Sequence, residues 1–153
     1  MRITSLAFAE KIPLPLQYTC KGPNTSPPFE FIDVPKETVS FVLIVEDIDS
    51  QDKWIHWLVY NIPGKVTHFD EGKIPEGAVD GICNGGTRGY QGPCPENFKG
   101  IHRFCFSLYA LDTILNVPDF ADSKLIVDEM QGHILAKAEL QGIAEGEKVS
   151  ESV

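Results

Sequence analysis

Two aspartates one residue apart, Asp47 and Asp49, close the apolar run Phe41–Val45, and Trp54, His56 and Trp57 follow shortly after. Farther on, a Gly/Pro-rich stretch from Gly89 to Gly100 runs directly into His102 and Arg103. Carboxylates accept hydrogen bonds from cations and N–H groups, and protonated imidazoles donate to anions. Consecutive backbone amides in a Gly/Pro loop make a concave anion cradle. Side chains at i and i+2 of an extended chain share a side, so Asp47 and Asp49 can converge; the plainer reading is a strand end solvated by acids. His56, between aromatics, is either a hydrogen-bonded core histidine or a ligand-facing one. His102, at a strand mouth beside the loop, is placed to face a ligand. Arg103 points the other way and reads as the partner of an acid. If the three segments are neighbours, these groups surround one small pocket over an aromatic floor. Histidines and loop amides would hold phosphoryl oxygens there. The two aspartates would repel bare phosphate, but they suit a zwitterion with an ammonium end or keep the histidines charged.

Two catalytic readings compete with this one. Cys94 and His102 could act as nucleophile and base of a hydrolase, but no orienting third group or oxyanion arrangement accompanies them. Asp47, His56 and His102 are acceptable zinc ligands, yet they lack HxH or HExxH spacing. The expectation is a non-enzymatic binding protein with no cofactor and no metal.

The elements that must position these residues are short strands. Val39–Val45 is nearly continuous apolar sequence, as in a strand buried on both faces. Ile55–Ile62 reads as a second strand, with His56 on the face of Trp54, Leu58 and Tyr60 and Trp57 on the opposite one. His102–Leu111 alternates, placing His102, Phe104, Phe106, Leu108 and Ala110 together. Loops rich in proline and glycine fill 21–29, 61–81 and 84–100. Helical spacing enters late, with Asp122 or Ser123 as N-cap and Leu125, Ile126, Met130, Ile134, Leu135 and Ala138 on one face, Gly132 dividing the run. The polar residues from Ala144 onward are expected to fray. The chain, 1–153, reads as one mainly β (β-rich α+β) domain.

Composition sets the outer limits. The net charge of -9 repels nucleic acid and anionic membrane surfaces as a whole. No apolar stretch reaches the roughly 18 to 20 residues of a membrane span, and the N-terminus lacks the continuous apolar core of a signal peptide. A cytoplasmic location follows as the expectation. With it goes the expectation that Cys20, Cys83, Cys94 and Cys105, which show no CxxC spacing, are reduced thiols.

The ordered set "SPPF … VSFVLIVEDID … WIHWLVYNIP … GYQGPCP … GIHRFCFSLYALD … GHILAKAEL" resembles the phosphatidylethanolamine-binding protein (PEBP) family, in its shorter bacterial and archaeal, Raf kinase inhibitor-like branch. The likeness runs from about Tyr18 to about Gly142. The family's Asp-Pro-Asp-Ala-Pro segment corresponds to Asp47-Ile48-Asp49-Ser50-Gln51, with both acids present and both prolines replaced. Trp54, His56 and Asn61 match its Trp-x-His-x-x-x-x-Asn segment, and Gly92, Pro93, Cys94 and Pro95 its Gly-Pro-x-Pro loop. His102, Arg103 and Phe104 match its His-Arg-Tyr strand start, with phenylalanine in place of the tyrosine. The resemblance implies a large central antiparallel sheet packed on a smaller one, with one or two C-terminal helices. It also implies a cavity for phosphate, acetate or a phosphoryl headgroup. The implied ligand-binding set is Asp47, Asp49, Trp54 and His56, then Tyr90, Gly92, Pro93, Cys94 and Pro95, then His102 and Phe104. Family members bind phospholipid headgroups, and some inhibit kinases or serine proteases through surface loops. A kinase or protease partner and a homodimer are the associations the resemblance implies.

Overall fold

Apolar runs this dense have to be covered on two sides, and the computed structural model, which describes residues 1–147, shows how. The strands are β1 (Arg2–Thr4), β2 (Ile12–Pro13), β3 (Phe29–Ile32), β4 (Ser40–Asp47), β5 (Ile55–Pro63), β6 (His68–Phe69), β7 (Val79–Asp80), β8 (Ile101–Leu111) and β9 (Ile134–Glu145). Among the described residues they form a six-stranded sheet, ordered β2-β9-β8-β4-β5-β7, and a three-stranded sheet, β1-β3-β6. All pairs are antiparallel except β2 with β9.

The larger sheet is buried on both faces, which is why β4 is apolar at every core position. Phe41, Leu43 and Val45 join Trp57, Val59, Phe106 and Leu108 in a core closed by Phe29, Phe31 and Phe69 of the smaller sheet. Val42 and Ile44 point the other way, to Leu58, Tyr60 and Leu111, and are covered by Ile126 and Met130 of the helix α1 (Ser123–Met130). Phe104, Phe106, Leu108 and Ala110 share the first core, as the alternation of β8 requires.

β5 breaks strict alternation twice. Its register against β4 slips between the Phe41/Ile62 and Leu43/Val59 pairs, and again between Val45/Trp57 and Glu46/Ile55. Each slip leaves one extra residue on β5, which is a β-bulge. At the first, Asn61 adopts a left-handed φ of 51°. Its amide both donates to the Leu115 carbonyl and accepts from the Leu115 N–H, pinning the loop after β8. At the second bulge the extra residue is His56.

The C-terminal stretch corrects the helical reading. Asp122 caps α1 by accepting from the Leu125 N–H, but the helix ends at Met130, and Gly132 with φ 84° turns the chain. Ile134, Leu135 and Ala138 then lie in β9, a long inner strand paired with all of β8. The expected fraying from Ala144 is also corrected where it can be seen. Ala144 is buried in β9, and the Glu147 N–H donates to the Pro95 and Phe98 carbonyls. The remaining residues, 148–153, lie outside the described part of the chain.

Candidate functional site

Where β4 ends, the chain turns on the side chain of Asp47. Its Oδ1 accepts from the N–H groups of Asp49 and Ser50 at 3.0 and 3.1 Å, and Ser50 Oγ donates back to the Asp47 carbonyl. Ser50 Oγ also accepts from the Trp54 N–H, so the whole turn from Asp47 to Trp54 is hydrogen-bonded on itself. Asp47 is buried, with 4% of its surface exposed. Its second oxygen, Oδ2, accepts from Nδ1 of His102 at 2.6 Å, across the pairing of β4 with β8. All the acceptor capacity this carboxylate shows is therefore directed by the fold.

Asp49 is spent differently. Arg103 holds it in a fork, Nε to Oδ2 at 3.0 Å and Nη2 to Oδ1 at 2.8 Å, with the Arg103 N–H adding a third bond to Oδ2. These bonds push the Asp49 carboxyl down to about 2. The charge of Asp49 is thus cancelled at the rim rather than offered to a ligand.

His56 reaches the same place because of its bulge. Its Nδ1 lies 2.6 Å from the carbonyl of Gln91, which can only accept, so Nδ1 carries the proton and Nε2 is the nitrogen left over. Burial lowers its pKa below the usual histidine value; the Gln91 bond and the charge of Asp47 act in the opposite direction. The ring meets Phe104 edge-on at 5.1 Å. His102 stacks face to face on Phe98, with centroids 4.1 Å apart and planes 21° from parallel.

These groups line one open cavity of about 400 Å³. Asp47, Asp49, Trp54, His56, Cys94, His102 and Phe104 are all part of its wall, and among the described residues neither lysine nor arginine is. The other candidates lie outside it. Tyr90 packs on Trp57 and donates its hydroxyl to the Tyr18 carbonyl. Gly92 donates to Asn24 Oδ1, and a Cβ there would stand 2.1 Å from the Tyr18 carbonyl oxygen, so glycine is required by the close approach of two chains. Pro93 and Pro95 are buried in the loop behind, where the Pro93 carbonyl accepts from the Cys20 N–H. The Gly/Pro loop therefore acts as a buttress, tied to the segment Tyr18–Asn24, with the N–H groups of Gln91, Gly92 and Asn97 bonded within the protein.

Four wall residues, Ser50, Gln51, Asn97 and Phe98, were not in the expected ligand-binding set. Phe98 was hidden in a loop without periodicity, although a phenylalanine stranded among Asn97, Lys99 and Gly100 needs some surface to cover. Asn97 faces the cavity beside it. The expectation of four reduced cysteines is corrected. Cys20 and Cys94 are disulfide-bonded across 74 residues, and Cys83 and Cys105 are free and buried. A bonded Cys94 has no thiolate to attack with, so the Cys94–His102 nucleophile–base pair is not present. Among the described residues, Asp47, His56 and His102 do not form a metal-ligating cluster; the one group with such spacing is Cys20, Cys94 and Glu96. No described helix is long and apolar enough to cross a membrane.

Comparison with known proteins points the same way. The family profile for phosphatidylethanolamine-binding protein matches residues 4–145. A UPF0098 protein of Methanothermobacter thermautotrophicus is 41% identical over 149 residues, covering 94% of this chain and 97% of its own. The crystal structure of CT736 from Chlamydia trachomatis, described as a phosphatidylethanolamine-binding protein homolog, superposes with a TM-score of 0.88 at 41% identity, covering 95% and 97% of the two chains. E. coli YbcL, described as a member of the mammalian PEBP family, superposes with a TM-score of 0.87 at 30% identity over 95% and 98%.

Proposed function

The chain belongs to the phosphatidylethanolamine-binding protein family, and from that premise we propose that it is a non-enzymatic binding protein for a small phosphoryl compound carrying an ammonium or hydroxyl group, such as a phosphoethanolamine headgroup. The observation that carries the reading is the Asp47–His102 pair facing His56 across an aromatic wall in one cavity. With Asp47 bonded to Nδ1, His102 has Nε2 for the ligand. When protonated, it is a charge-assisted donor to a phosphoryl oxygen, with its positive charge balanced by Asp47. His56, with Nδ1 committed to Gln91, offers Nε2 as an acceptor. A ligand that brings its own proton, on an ammonium or a P–OH group, satisfies it; a bare phosphate dianion does not. Trp54, Phe98 and Phe104 supply the apolar wall that keeps these bonds out of bulk water.

Among the described residues the wall carries no lysine or arginine, and this makes the proposal specific. Affinity comes from hydrogen bonds at fixed angles, and it favours zwitterions over inorganic anions. By the family resemblance, the proposal extends to regulation of a partner enzyme, a kinase or serine protease, through the loops around the cavity mouth. Titrating O-phosphoethanolamine into isotope-labelled protein tests the binding step. The ring resonances of His56 and His102 should move together, and His102→Ala should weaken binding by at least about tenfold, the loss of one charge-assisted bond. Shifts confined to other surfaces, or full affinity in the variant, would end the proposal.

A further inference from the structure

The Cys20–Cys94 bridge sits where a second kind of chemistry is available. Each sulfur lies within 4.8 Å of the other and of a Glu96 carboxylate oxygen. The two cysteines are half-buried and Glu96 is exposed. Thiolates select soft or borderline divalent ions, and two of them with a carboxylate and a water make an ordinary four-coordinate zinc set. We propose that in the reduced protein Cys20, Cys94 and Glu96 form a Zn²⁺ site, so that metal binding and disulfide formation exclude one another.

The backbone around the pair is held without the sulfurs. Cys20 donates its N–H to the Pro93 carbonyl at 3.0 Å, and the Cys94 carbonyl accepts from the Asn97 N–H at 2.8 Å. Gly92 is tied to Asn24 and Tyr90 to Tyr18, at 2.8 and 2.7 Å. Opening the bridge therefore leaves the two Cα atoms near their present 5.1 Å. Zinc–sulfur bonds of about 2.3 Å in a tetrahedron need the sulfurs roughly 3.8 Å apart, which rotation about the side-chain bonds supplies. Cys94 and Asn97 line both the cavity already described and a second cleft that also contains Cys20, so the two sulfurs can be approached from solvent.

The chemistry balances with a dithiol reductant. Thiol–disulfide exchange passes two electrons and two protons from the reductant to Cys20 and Cys94, and the reductant leaves as its own disulfide. Zn²⁺ then displaces both thiol protons, which makes binding weaken as the pH falls. Oxidation by a disulfide of the same class reverses the sequence and releases the ion. Because Cys94 also forms part of the first cavity's wall, the ion would sit beside the proposed headgroup site rather than in it.

The test uses the full chain, reduced with dithiothreitol, freed of reductant under argon and titrated with Co²⁺, whose thiolate complexes absorb strongly in the near ultraviolet. The expected result is a charge-transfer band that saturates at one equivalent, disappears on adding Zn²⁺, and is absent from the oxidised protein. Cys20→Ser and Cys94→Ser should abolish the band, and Glu96→Gln should weaken binding by about tenfold or more. A reduced protein without the band overturns the proposal. So does a band of undiminished intensity in the Cys20→Ser, Cys94→Ser double variant, which would move the thiolate to Cys83 or Cys105, or an affinity unchanged by Glu96→Gln. If either serine variant fails to fold by circular dichroism, the oxidised–reduced comparison and Glu96→Gln still decide. The readout is a thiolate band, so it stands apart from whether O-phosphoethanolamine binds.

Discussion

Replacing Asp47 by asparagine and by alanine should separate its two roles, holding a turn and holding a histidine. The carboxylate is buried and accepts three hydrogen bonds, two from the N–H groups of Asp49 and Ser50 and one from His102. Alanine removes all three acceptors and strands the donors. At about 1.5 kcal/mol each for bonds to a charged group, the loss is about 4 to 5 kcal/mol, within the usual cost of about 3 to 5 for breaking a buried pair. For a chain of this length that is a fall in Tm of roughly 10 °C. Asparagine keeps an oxygen for the two backbone donors, at about half the strength of an ionised acceptor. Its NH₂ group, however, meets the Nδ1–H of His102. To avoid two donors facing each other, His102 must give up its Nδ1 proton and become a neutral imidazole protonated at Nε2. The stability cost should be about 2 kcal/mol, but affinity for O-phosphoethanolamine should fall at least about tenfold, because the ring loses the carboxylate that holds its Nδ1–H and leaves Nε2 for the ligand. Urea denaturation and calorimetric titration measure the two quantities independently. If the asparagine variant binds as well as the native protein, the aspartate–histidine pair does not organise the site. If the alanine variant loses no more stability than the asparagine variant, the turn is not held by this side chain.

Three further outcomes follow from the same geometry. Trp57→Ala should cost about 3 to 5 kcal/mol in denaturant unfolding, because the ring is 1% exposed, packs edge-on against Phe69 and Tyr90 and donates to Asp80; near-native stability would mean the β5 register is wrong. Arg103→Gln should destabilise modestly at neutral pH, since the pair is partly exposed, and the deficit should shrink as the pH falls from about 4 towards 2. The sign follows from Asp49, whose folded value lies below the unfolded one of about 3.9, so its stabilisation is present above that and lost on acidification. A deficit independent of pH would refute the fork as its source. Iodoacetamide should leave the oxidised native protein unlabelled by mass spectrometry. Cys83 and Cys105 are buried and their thiols raised by burial, Cys83 to about 11; rapid labelling of either would contradict that burial.

What could be read from the sequence divides along a physical line. β4 and β8 were legible because burial imposes its own pattern on a strand. A run apolar at every position means two covered faces, and His102, Phe104, Phe106 and Leu108 mean one. β9 carried a pattern as well, with Ala136, Ala138, Leu140, Gly142 and Ala144 facing inward between Lys137, Glu139 and Gln141. Small residues make a weak alternation, though, and Ile134, Leu135 and Ala138 also fit a helix, so the capped start at Asp122 extended the helix too far. The decisive signal was Gly132, whose left-handed turn ends α1. Bulges escape pattern reading altogether, because one inserted residue resets the period. That is how His56 comes to face Phe104 while Leu58, two residues on, faces α1. The disulfide escaped for a related reason: a separation of 74 residues carries no local trace, and expecting a cytoplasmic protein argued for thiols. The pocket was legible on one condition, that the three segments are neighbours. Asp47, His56 and His102 are costly to bury singly, and three such residues at the ends of apolar strands are most cheaply accommodated by meeting one another. The Gly/Pro loop was read as preparation for an anion because it is rigid. Rigidity serves equally to buttress, and the bonds from Gly92 to Asn24, Tyr90 to Tyr18 and His56 to Gln91 hold the wall in place.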